Sequence, residues 1–130
     1  MKEEIFRSNR YFTTFDVLVS HGQFLLRSQK NESYTSNIDI IFFDTTYIQL
    51  FSRLNGLTIK MKKGKNLTGY RSVSNYLSYE NNHLFEIESG EEKYYIAASF
   101  VKVFENVLEF NETSLGYEDR GRANEIASSL

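Results

Sequence analysis

Asn37-Ile-Asp-Ile-Ile-Phe-Phe-Asp-Thr-Thr-Tyr-Ile-Gln-Leu-Phe51, followed shortly by Leu57-Thr-Ile-Lys-Met61, is the most apolar and most β-branched part of this chain. Any core must include it. In extended backbone Ile38, Ile40 and Phe42 share one face while Asp39, Ile41 and Phe43 share the other. Both faces are largely apolar, so the strand is central or covered on both sides. Asp39 then sits among apolar neighbours, where a carboxylate needs hydrogen-bond donors. It is a candidate buried polar site, with a structural bond to a nearby loop as its plainer role.

The flanking segments read as strands too. Tyr11, Thr13, Phe15, Val17 and Val19 alternate with Phe12, Thr14, Asp16, Leu18 and Ser20, His21-Gly22 offers a turn, and Gln23-Phe-Leu-Leu-Arg-Ser28 returns. Residues 1–9 fit a short helix or an arm. Asp44-Thr-Thr offers a turn. Residues 45–55 carry two patterns: Tyr47, Leu50, Phe51 and Leu54 make a helical stripe, whereas Thr45-Thr-Tyr-Ile is a poor first helical turn. We read strand. Leu57, Ile59 and Met61 alternate with Thr58, Lys60 and Lys62, and Lys63-Gly-Lys-Asn66 turns the chain. Weaker strands are expected at Tyr70–Val73 and Tyr76–Tyr79.

Leu84, Glu86 and Glu88 oppose Phe85 and Ile87, and Ser89-Gly90 turns into Lys93–Phe104. Residues 97–110 also admit a helix through Phe100, Val101, Phe104, Val107 and Leu108, but the strand reading is preferred. The division expected is a single β-rich domain over 1–110 and a C-terminal tail or short helix over 111–130. Strands at about ten-residue spacing predict a mainly β fold. It is an antiparallel barrel or a bent sheet or sandwich of about seven to nine strands, with room for short terminal helices.

At 130 residues the chain is one domain by length, and 41% hydrophobic with 25% charged residues is ordinary for a folded protein. The 15% aromatic content, 11 Phe and 9 Tyr, favours sheet. No cysteine is present, which removes disulfides, thiolate metal sites and thiol nucleophiles. The first residues lack an apolar signal region, and no run approaches the ~20 apolar residues of a spanning helix. A cytoplasmic protein without membrane contact is therefore expected. The net charge of −2, mixed along the chain, argues against nucleic acid as a partner.

Candidate chemistry is sparse, and no catalytic, cofactor or metal residue is assigned. His21 and His83 read as solvated loop residues. Glu86 and Glu88, two apart, read as a wet strand face rather than a glycosidase pair. Gly64-Lys65-Asn66 lacks the glycine and hydroxyl positions of a phosphate loop. Two surface features stand out as possible interfaces: the basic group Lys60, Lys62, Lys63 and Lys65, and the pair Tyr76 and Tyr79 in a polar stretch. The leading expectation is a non-enzymatic module that binds another protein or itself. The alternative is a barrel holding a small apolar ligand, and a carboxylate-based enzyme ranks third. Because period-two segments outnumber helical ones, far-ultraviolet circular dichroism should be sheet-dominated; helix above about half would overturn the fold class.

Overall fold

The computed structural model describes residues 3–62, 82–116 and 120–130. They form β1 (Glu4–Leu18), a 3-10 turn at Val19–His21, β2 (Gln23–Ser28), β3 (Asn37–Phe43), β4 (Tyr47–Gln49) and β5 (Arg53–Lys62). After the gap come β6 (His83–Ser89), β7 (Glu92–Ala98), β8 (Phe100–Asn106) and β9 (Glu125–Ser128). All nine strands belong to one antiparallel sheet in the order β4-β7-β6-β5-β1-β2-β3-β8-β9. It is a bent sheet, not a closed barrel. The short terminal helices are not formed among the described residues. Residues 4–9 belong to β1, and 125–128 pair with β8 as a strand. The ambiguous stretches 45–55 and 97–110 are strands where they are regular, as alternation indicated. The strands expected at Tyr70–Val73 and Tyr76–Tyr79 lie outside the described residues.

Two features bend the sheet. The first is the length of β1, which pairs with β5 from Glu4 to Thr13 and with β2 from Thr13 to Leu18. Irregularities at Ser8/Tyr11 and Thr14/Asp16 turn it between the two partners, as bulges do. The second is a kink that β3–β4 and β7–β8 share. Asp44 takes φ 53, Ser99 N–H donates to Phe43 O at 2.9 Å, and Thr46 N–H donates to Ala97 O at 2.9 Å. The β3–β8 ladder thus runs on into the β4–β7 ladder through a corner, and the sheet doubles back over itself.

The folded interior is built from the faces that meet. Ile38, Ile40 and Phe42 of β3 pack with Phe12, Phe24, Leu54, Ile59, Phe85, Ile87 and Val103. Phe42 touches Phe24 within its own half, with ring centroids 6.3 Å apart, and Phe85 of the opposite half edge-on at 5.8 Å. Each ring is almost fully buried, and burial of that order is worth ~1.5–3 kcal/mol per side chain. The second face of β2–β3–β8 is also covered. Leu25, Ile41 and Phe104 lie beneath Leu115 of the segment that follows β8.

The corner depends on a glycine. Gly22 has φ 63, and a Cβ there would lie 3.1 Å from Asp44 Cα and 3.3 Å from Thr45 N. Gly90 has φ 62 but nothing within 4 Å. Gly22→Ala should therefore cost on the order of 1–3 kcal/mol, and more than Gly90→Ala, in urea denaturation. Equal costs would mean that the close approach at the corner is immaterial.

Candidate functional site

Asp39 is the centre of the most developed polar constellation. The β2–β3 register sets Arg27 directly opposite it, one opposite charge in each of two apolar strands. Arg27 Nε donates to Oδ1 at 2.6 Å and Nη2 to Oδ2 at 2.8 Å, a two-pronged pair with both residues essentially without solvent exposure. Oδ2 also accepts from Ser114 Oγ at 2.7 Å and Asn106 Nδ2 at 3.0 Å. Arg27 Nη1 donates to Glu112 O at 2.7 Å, and its guanidinium lies 4.0 Å from the ring centre of Phe15, the bulged residue of β1.

Every oxygen of Asp39 is engaged and no solvent reaches it, so the arrangement holds structure rather than performs chemistry. It fastens the segment after β8 across the sheet. Gly116 N–H donating to Gln23 Oε1 and Lys30 Nζ donating to Val107 O add to the same attachment. Arg10 repeats the device at the far end of β2. It donates to Ser28 Oγ, Ser28 O and Ser36 O beneath the Tyr34 ring, and burial lowers its pKa against the opposing pull of Tyr34 and Glu105.

The other singled-out residues separate. Glu86 is not on a solvated face: it is buried, with Oε1 3.7 Å from Lys62 Nζ, 3.9 Å from Lys93 Nζ and 3.5 Å from Tyr95 Oη. Its Oε2 has no hydrogen-bond partner among the described residues. Glu88 pairs with Lys60 at 3.2 Å, which raises the lysine pKa and lowers that of the carboxylate. Lys60 and Lys62 thus sit against carboxylates, while Lys63, Lys65, Tyr76 and Tyr79 lie outside the described residues. His83 Nδ1 lies 3.0 Å from Ser99 O and donates its proton there; His21 Nδ1 lies 2.9 Å from Ser20 Oγ. Among the described residues no three His, Asp or Glu side chains are placed to hold a metal ion.

A surface groove lies at the corner, one of several concavities among the described residues. It encloses about 240 Å³ and is lined by Val17, Val19, Gly22, Gln23, Phe24 and Thr45 to Ile48, with no charged side chain. Val19 is 83% exposed, Val17 46% and Ile48 43%. Sequence reasoning missed this site because alternation assigned these residues to strands without placing the end of β1 beside β4.

No family model matches the chain, and no curated protein and no solved structure shows significant similarity to it. No helix among the described residues is long and apolar enough to cross a membrane.

The Asp39 network predicts a steep and non-additive response. Asp39→Ala strands a buried guanidinium and should cost ~3–5 kcal/mol, whereas Arg27→Met with Asp39→Leu should cost less than the sum of the single changes. A denaturant double-mutant cycle with coupling near zero would contradict the network.

Proposed function

We propose that this chain is a protein-binding module that takes an apolar segment of its partner in the groove between β4 and the β1–β2 turn. The observation that carries the reading is the uncharged lining, rimmed by exposed Val17, Val19 and Ile48. Exposed aliphatic side chains gathered round a concavity mark contact sites more often than those scattered singly. Catalysis has no comparable support at Asp39, since that cluster, the most elaborate among the described residues, is sealed and fully hydrogen-bonded.

A small apolar ligand is the second reading. A closed interior pocket lined by Phe42 and Phe100 would favour it. Phe42 instead packs between Phe24 and Phe85, and Phe100 stacks on Phe43 at 4.5 Å on the other face. The groove is smaller than the ~300–1,000 Å³ of ordinary ligand pockets.

The test uses a photo-reactive residue at position 48 to identify the partner, followed by the purified complex. Val19→Asp with Ile48→Asp should leave stability within about 0.5 kcal/mol, as surface changes do, and raise the Kd at least tenfold. An unchanged Kd would contradict the proposal. Stoichiometric binding of a small apolar dye in the groove, with no protein cross-link, would favour the second reading.

A further inference from the structure

The geometry of the groove specifies the form in which a partner segment enters it. β2 pairs with β3 from Ser28↔Ile38 to Phe24↔Phe42, and two residues further Gly22 lies against Asp44. Thr45 N–H donates to Gly22 O at 2.8 Å, the last bond of that ladder. The chain then turns through Val19–His21 into β1, so no described strand continues alongside β4, which ends the sheet order. The groove occupies the lane that β2 would have filled had it run on.

The orientation of β4 follows from counting along its neighbour. Ser89 and Glu92 close a two-residue turn, which makes them a doubly hydrogen-bonded pair. By alternation Tyr94, Ile96 and Ala98 direct their main-chain groups to β6, and Tyr95 and Ala97 direct theirs to β4. The bond from Thr46 N–H to Ala97 O agrees. Tyr47 and Gln49, the register partners of Ala97 and Tyr95, therefore turn their main chains toward β7. Ile48 turns its N–H and C=O the other way, into the lane.

We infer that the partner segment enters as an extended, uncharged strand with apolar side chains at alternate positions, pairing with Ile48 in the lane beside β4. This rests on the groove reading proposed above. Main-chain pairing at a single residue supplies register, and the side chains against Val17, Val19 and Phe24 supply most of the affinity. The absence of charge from the lining sets the chemistry, because a charged residue placed there would be desolvated without a counter-charge.

The experiment pans a random heptapeptide library on the folded chain and rejects peptides that also bind Val19→Asp, a substitution that leaves β4 intact. Enriched peptides should be uncharged with apolar residues two apart. Methylating the backbone nitrogen that meets Ile48 should weaken binding at least tenfold, and bound peptide should slow hydrogen exchange of the Ile48 amide at least tenfold. Peptides that tolerate methylation at every position and leave Ile48 exchange unchanged would overturn strand pairing while the groove reading stands. Failure to enrich any peptide that discriminates against Val19→Asp would overturn both.

Discussion

The structure depends on a main-chain ladder that survives a sharp corner. A sheet of this many strands, left open and flat, would present one apolar face to water; bending brings that face against itself. Here the bend is made at Asp44 and Ser99, where two neighbouring strands kink together and keep hydrogen bonds across the kink. Gly22 is the third member of the corner, since only a residue without a side chain lets the β1–β2 turn approach Asp44 so closely. Phe42, two residues before Asp44, then reaches both Phe24 and Phe85 and joins the two halves.

The outer face of β2–β3–β8 is closed by different means. Among the described residues Leu115 is the one buried apolar residue that the covering segment contributes there, and the attachment is chiefly polar, through Arg27, Asp39, Asn106 and Ser114. Such a network adds less net stability than its hydrogen-bond count suggests, because two charges have been taken out of water. What it supplies is position: Asp39 accepts from Ser114 and Asn106 in one arrangement, and Arg27 reaches Glu112 O in the same arrangement. A slipped segment would leave buried charge without donors.

Alternation exposed the strands because side chains that repeat every second residue have few other ways to share a face. It marked β3 as a strand covered on both faces and found the turns at His21-Gly22 and Ser89-Gly90. It also marked Asp39 as an anomaly, and the partner was visible in principle as Arg27, the one charge in the equally apolar Gln23–Ser28 strand. Asn106 and Ser114 were not legible, because they meet Asp39 only through the path of a segment with no periodicity. Glu86 misled because its every-second-residue spacing with Glu88 imitates a wet face, whereas burial there is set by neighbouring strands. The groove was hidden for the same reason: its walls come from β1, β2 and β4, and only the corner brings them together.

The functional account follows from that corner, since the kink that folds the sheet also leaves the lane beside β4 without a strand. Its central claim is that the bonds at Thr45, Thr46 and Ser99 hold the two halves together. Native-state hydrogen exchange measures this residue by residue. The account predicts that these three amides open only with global unfolding, at a free energy equal to that of the β3 and β6 amides. Exchange of Thr45, Thr46 and Ser99 as fast as the exposed loop amides of Ser33 and Tyr34, with β3 still protected, would contradict it.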